Sequence, residues 1–516
     1  MLSSLKVSSL QLLFGLLLLS LTSQQILAAG SAADKNNDRT KLTLAILELK
    51  RDLLLNQEKL TSRRPDYSKI NSTTYLSPEQ FEAMAMLLAA DAQNKLGDEQ
   101  YIELLFLADN FSQLGMNDKA IDIYTRLTGL EKIRQTIRDS AWLQLAKLYI
   151  RQGQTEAAAD ALENIKDDLE NDQAADYQAI KAYIQLANGK IEQTLTTLKQ
   201  VQDDSAWALY QIFDIGIALL NEHHHNGGAL VLHRIARLKS SNNLEIQSIR
   251  DQANLTLGFS LLKLNKTERA RRYLENIKLK SHLSDNALLG IGWSYSIENN
   301  YEQALVYWLE LQSRPNRSTY NYEAMLAVPF ALSKENAHKQ ALQYYKTAQQ
   351  RIESDISDLN EVRNKLNSDD FLILISTAPE DETGWLNNWL DTPGSPDKRF
   401  LPLLFDNAEF QASLQNYRTL LQLELLLQSL RAADKQPEIS PISEQEKGNI
   451  EKFDLRRKQL SQRLNHAIAQ QLEPLRQEAV NIIDRYQAQL NSYSEEVKFG
   501  IAQTIEDSFI TTEEAP

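Results

Sequence analysis

Cysteine is absent from this chain of 516 residues. Its absence excludes disulfides, thiol catalysis, Cys-ligated zinc and a lipid anchor on a signal-sequence cysteine. Glycine is sparse, with 17 residues, which leaves little backbone for phosphate-cradling loops. No Gly-rich phosphate loop, His-Glu-x-x-His pair or Gly-x-Ser-x-Gly elbow occurs. No catalytic residue, cofactor site or metal site is therefore expected, and the chain does not read as an enzyme. A basic surplus is also missing: the formal net charge is -14. Sequence-independent nucleic-acid binding needs a basic face, as does docking on an anionic membrane, so neither is expected. Beyond the first 30 residues no apolar run reaches the ~20 residues that span a bilayer.

The one apolar run lies at the N-terminus. Lys6 precedes an almost unbroken stretch from Leu12 to Leu21, and Ala28, Ala29 and Gly30 follow. This is the pattern of a signal peptide over residues 1–30, with cleavage expected after Gly30. An uncleaved inner-membrane anchor is the alternative. A large, Cys-free chain with such a leader fits the periplasm of a Gram-negative-like cell.

What the chain has in quantity is a pattern recurring about every 34 residues. Its clearest copy has Trp142, Leu145, Ala146, Tyr149, Gly153, Ala158 and Leu162. Another has Leu104, Leu107, Ala108, Phe111, Gly115, Ala120 and Tyr124 at the same internal offsets. Later copies carry Gly258, Asn265, Ala270 and Leu274, then Gly292, Asn299, Ala304 and Trp308, then Asn336, Ala341 and Tyr345. Two weaker copies keep Ala182, Gly189, Thr194 and Leu198, and Gly216, His223, Gly228 and Leu232. The physical logic is close packing of paired helices. Small residues at the eighth and twentieth positions let helix A and helix B approach, and a turn residue ends helix A.

This order of bulky, small and turn residues resembles the tetratricopeptide repeat, whose period is about 34. The resemblance implies an all-α, tetratricopeptide-like helical-hairpin solenoid of about seven repeats over residues 99–348. It also implies that the fifth and ninth positions of helix A line a groove. The candidate protein-binding residues are then Leu143, Phe213, Ile217, Leu255, Phe259, Leu289, Trp293, Leu326 and Phe330. Phe259, Trp293 and Phe330 would form an aromatic row, and aromatics suit binding hot spots. Family members that clamp a peptide's C-terminal carboxylate use Lys, Asn and Arg at such positions. Only Lys147 and Asn286 match that, in distant repeats. The row has two competing explanations: it contacts a partner, or this chain's own C-terminal helices cover it.

The rest of the chain frames the repeats. Residues 31–98 read as N-terminal helices, with Pro78 opening a helix that caps the first repeat. Residues 349–433 read as helices around an aromatic, proline-bearing insertion at 367–402. A polar linker covers 434–446. Residues 447–516 read as long C-terminal helices of coiled-coil character, a hairpin or coiled coil that Pro474 should kink or divide. The adjacent His223, His224 and His225 read as a polar turn rather than a metal site. The function expected is a protein-binding scaffold or adaptor in a cell-envelope complex. The alternatives are an accessory component of a cell-wall-acting enzyme, or a homo-oligomer built through the C-terminal helices.

Overall fold

Apolar residues at steps of three and four dominate the chain, and its computed structural model is all-α. It describes residues 39–52, 54–55, 78–92, 101–166, 169, 171–202, 205–239, 243–314, 318–367, 400, 403–404, 407–430 and 444–513. The signal peptide, the loop before Pro78, the 434–446 linker up to residue 443 and nearly all of the 367–402 insertion lie outside these residues.

Seven turns organise the repeats. Gly115, Gly153, Gly189, His223, Asn265, Asn299 and Asn336 all take positive φ, between 55° and 77°. Glycine and asparagine tolerate this left-handed conformation best. These are the seven turn residues marked by the repeat pattern, one per copy. At six of them the next residue's N–H donates to a carbonyl five residues back, as Gln154 does to Tyr149 at 2.8 Å and Lys266 does to Leu261 at 2.9 Å. This is the 6→1 bond of the Schellman motif, which stops a helix and reverses the chain. His223 therefore serves as a turn residue.

The helices so delimited are α3 (Tyr101–Gln113) and α4 (Asn117–Gly129), α5 (Gln135–Arg151) and α6 (Thr155–Glu163), and α7 (Asn171–Ala187) and α8 (Ile191–Leu198). Then come α9 (Ala206–Asn221) and α10 (His225–Ala236), α11 (Leu244–Lys263) and α12 (Thr267–Leu274), α13 (Ser284–Ile297) and α14 (Tyr301–Ser313), and α15 (Thr319–Lys334) and α16 (His338–Leu366). Ahead of them stand α1 (residues 39–52) and α2 (Pro78–Ala92); after them come α17 (Ala408–Ser429) and α18 (Glu444–Glu513).

The chain divides into two compact units. One holds α1–α7, α17 and α18 up to Leu475; the other holds α8–α16 and α18 from Arg476. The division falls in the A–B turn of the third repeat and just after Pro474. In the first unit, α3 packs on α4 and α5 on α6, and α5 also packs against α3 and α7. Lys50 of α1 pairs with Glu82 of α2 at 2.9 Å. Arg456 of α18 reaches Asp52 of α1 at 2.7 Å. In the second unit the hairpins α9–α10, α11–α12, α13–α14 and α15–α16 stack, with each first helix touching the first helix of the next.

The eighth and twenty-fourth positions meet inside α9–α10, α11–α12 and α13–α14. Every twentieth position is buried: Ala120, Ala158, Thr194, Gly228, Ala270, Ala304 and Ala341. Thr194, the odd residue, donates its hydroxyl to the Lys190 carbonyl at 3.1 Å, so its polar atom is satisfied locally. At the eighth position a Cβ added to Gly258 would lie 2.5 Å from Leu274, and one added to Gly292 only 2.1 Å from Trp308 Nε1. Both neighbours are twenty-fourth residues.

One expectation is modified. The long C-terminal segment is one continuous helix, not a hairpin: α18 runs through Pro474. Pro474 is exposed, so the Gln470 carbonyl that loses its partner can be hydrated. Beyond the repeats α16 continues as helix to Leu366, with Ile352, Leu359, Val362 and Leu366 of its stripe buried. Among the described residues no helix is long and apolar enough to cross a membrane.

Gly292→Ala should lower stability by ~1–3 kcal/mol, because the buried Trp308 ring has nowhere to move. Gly129→Ala, where a Cβ meets nothing within 4 Å, should be neutral. Chemical denaturation of the two variants checks this. Equal stability for both would place the helix A–helix B contact elsewhere.

Candidate protein-binding groove

The ninth position of helix A differs in chemistry between the two units. In α3 and α5 of the first unit it is charged and internally satisfied, while in α7 it is Tyr183. Asp109 of α3 accepts a hydrogen bond from the Tyr124 hydroxyl of α4 at 2.5 Å. Burial raises the Asp109 carboxyl to about 6, opposed by that bond and by the charge of Lys147. Burial also pushes the Tyr124 hydroxyl well above its usual range, helped by Asp109. Lys147, the ninth residue of the next repeat, forms an ion pair with Asp176, the second residue of the third. Arg151 donates to Ser112 Oγ at 2.6 Å across the same two repeats. Lys147 is thus engaged within the chain, which removes it as half of a carboxylate clamp.

In α11, α13 and α15 of the second unit the ninth position is aromatic, while in α9 it is Ile217. Trp293 of α13 lies edge-on to Trp308 with ring centroids 5.0 Å apart. Phe330 of α15 lies edge-on to Tyr301 at 6.0 Å, and the Lys334 ammonium sits 5.7 Å from its ring. Phe259 of α11 is buried in the core formed with Leu255, Leu262, Ala270, Leu274 and Ile291. Gly290 of the following hairpin leaves room for it, since a Cβ there would stand 3.2 Å from Phe259 Cζ.

The nine groove candidates therefore separate. Leu143, Leu255, Phe259 and Leu289 are buried core residues, filling the space between successive hairpins. Phe213, Ile217, Trp293, Leu326 and Phe330 are half-buried, with part of each side chain at the surface. The surface row is Trp293 and Phe330 on adjacent hairpins, without Phe259. The reason is spacing: Gly290 lets α13 come close enough to cover Phe259.

The C-terminal helix has a seat of its own on the last hairpin. Tyr322 of α15 stacks on Tyr493 of α18 at 6.2 Å and lies edge-on to Tyr486. Arg363 of α16 forms an ion pair with Asp484 at 2.6 Å. Gly500 lies against the Tyr345 ring, where a Cβ would come within 2.5 Å. Phe400, from the otherwise undescribed insertion, is buried against Tyr486. The apolar stripe of α18 from Leu475 to Val497 is buried by this packing. A second copy could use that stripe only if the helix left its seat.

That seat holds one carboxyl the repeat pattern did not mark. Glu323 occupies the second position of the last repeat and accepts from the Tyr493 hydroxyl at 3.4 Å. No spacing rule links residues 170 apart, so only the folded chain shows the pair. Burial raises Glu323 to about 7, with Tyr493 acting against this and Glu496 adding to it.

Among the described residues no group of His, Asp or Glu is placed to hold a metal ion. His223 and His225 have ring centroids 5.8 Å apart, edge to face.

The fold and this surface define a helical-hairpin repeat protein, and comparison with known families agrees. Residues 140–168 match the tetratricopeptide repeat family. This is the clearest copy in the sequence. None of the curated proteins matches the chain. Among solved structures it is similar to the apo form of RapI, at 12% identity over 72% of this chain and 98% of that one, with a TM-score of 0.33. It is also similar to the apo form of the quorum sensor NprR from B. thuringiensis, at 13% identity over 72% and 99%, with a TM-score of 0.25. The APC/C heterotetramer Cut9–Hcn1 aligns at 11% identity over 81% and 98%, with a TM-score of 0.22. Likenesses this low carry no functional argument.

Glu323 makes the seat of α18 sensitive to pH. Its folded-state value of about 7 lies above the unfolded 4.5. Its stabilising contribution is thus complete below pH 4.5 and is lost as pH rises through 7, by up to roughly 3 kcal/mol. Denaturant midpoints at pH 5 and pH 8 should show the loss, and Glu323→Gln should shrink it. A Glu323→Gln variant with the full wild-type difference would assign the titration to another group.

Proposed function

We propose that this protein is a scaffold of the cell envelope that binds another protein through its tetratricopeptide-like repeats, after export to the periplasm. One observation carries the binding reading. Trp293 and Phe330 hold the same ninth position on two stacked hairpins, and both remain half-buried where Leu255 and Leu289 at the fifth position are buried. Large aromatic side chains contribute most to affinity when a partner completes their burial. Leu326, also half-buried on α15, extends the apolar surface between them. The export reading rests on Lys6 and the run from Leu12 to Leu21.

A photo-crosslinking residue placed at Phe330 in intact cells should yield a discrete adduct with another protein. Trp293→Ala should weaken capture of that protein by ~2 kcal/mol, about thirtyfold. The isolated variant should lose less stability than the ~3–5 kcal/mol of a fully buried aromatic. A large loss of stability with unchanged capture would make Trp293 a core residue and remove the groove. For export, a reporter active only outside the cytoplasm, fused after Pro516, should lose activity when Leu17, Leu18 and Leu19 become Asp. Retained activity would rule out the signal peptide.

A further inference from the structure

The acidic balance of the chain hides a local reversal. Between His233 and His282 there are eleven Lys or Arg residues against four Asp or Glu, in a protein of net charge -14. Part of this surplus is used internally. Arg250 pairs with Asp251, and Arg271 with Glu298. Arg234 turns inward to donate to the carbonyls of Leu198 and Val201.

Arg237 and Arg269 lie where α10 comes beside α12, the second helices of the fourth and fifth hairpins. Tyr273 of α12 hydrogen-bonds His233 Nδ1 of α10 at 2.7 Å, with the rings edge to face at 5.8 Å. That bond fixes the two helices' outer faces at one level. Arg237 follows His233 by one helical turn, and Arg269 precedes Tyr273 by one turn. Both guanidiniums are exposed. Both also act on the His233 ring, which burial first and then Arg237 and Arg269 hold below its ordinary value. Helix α10 contains no acidic residue. On α12, Glu268 is engaged by Arg272 at 2.5 Å. Lys263 and Lys266 extend the basic surface at the α11–α12 turn, and Leu264 between them is 62% exposed.

We propose that this outer face of α10 and α12 binds an acidic protein segment, with Arg237 and Arg269 as its two anchors. Planar guanidiniums pair with carboxylates in two-point geometry. The exposed leucines Leu230 and Leu264 offer apolar contacts that a peptide side chain can use. A short ligand fits better than a long polyanion. The patch is two helices wide, and charge outside it is felt over only about 8 Å at physiological salt. A nucleic acid or a membrane surface would extend past the patch onto the acidic remainder of the chain. This second surface is separate from the Trp293–Phe330 row and does not depend on it.

The test uses the full chain and a labelled decaglutamate peptide, with a decathymidylate oligonucleotide and phosphatidylserine vesicles as comparators. The peptide should bind, less tightly as salt rises. The Arg237→Glu/Arg269→Glu variant should lose at least tenfold in affinity. Lys119→Glu/Lys132→Glu, which reverses two exposed charges elsewhere, should keep it. Should the arginine variant fail to fold by circular dichroism, Arg237→Gln/Arg269→Gln gives the same reading. The His233 titration midpoint should rise when peptide binds, because an anion offsets the two guanidiniums that face the ring beside Tyr273. Equal loss in both charge-reversal variants would reduce the effect to net charge and overturn the proposal. So would peptide binding that leaves His233 unmoved, or tighter binding of the oligonucleotide or the vesicles than of the peptide.

Discussion

The contact on which the rest of this structure depends is the close approach of the two helices of each hairpin. It is made where a small eighth residue lies under a large twenty-fourth. Gly292 under Trp308, Gly258 under Leu274 and Gly216 under Leu232 leave no room for even a methyl group. The helices can pack so closely only because the chain reverses within three residues. That in turn requires a backbone in the left-handed region at each of seven turns. Glycine supplies it in the first three, and histidine or asparagine in the last four. From these two local conditions follow the buried alanines at the twentieth position and the continuous core between hairpins.

A stack of such hairpins has ends that must be covered. At the last hairpin the cover is α18, whose Tyr486, Tyr493 and Gly500 lie against Tyr322 and Tyr345. This is the place a next repeat would take, and a repeat array without a cap would expose its core there. The cap is a mixed surface rather than a purely apolar one. The Arg363–Asp484 ion pair and the Tyr493–Glu323 hydrogen bond tie it down, and the raised Glu323 carboxyl makes its hold depend on protonation.

Along the ninth position the same backbone geometry carries two chemistries. Asp109 and Lys147 are folded into ion pairs and hydrogen bonds within their own unit, so they spend their charge on order. Trp293 and Phe330 each pack edge-on against a ring and keep part of their surface in water. Aromatic contact area left open in this way is what a binding surface requires, whereas a satisfied buried ion pair offers little to a partner. The basic face of α10 and α12 adds a second, electrostatic surface on the other helices of the stack.

Much of this architecture was legible in the sequence because it is local. The seven turn residues, the buried small residues at the twentieth position and the helix-forming stripes all follow from spacing within about 34 residues, where backbone sterics and helical periodicity act. Even Thr194 and His223, which break the pattern by type, hold their places by satisfying a hydrogen bond or tolerating positive φ. What spacing could not decide was distance in space. Whether Phe259 faces water or core depended on how closely α13 approaches through Gly290. That α18 would place Tyr493 on Glu323 depended on packing between segments 170 residues apart. Burial is a property of neighbours, and the neighbours that matter at these sites are not those along the chain.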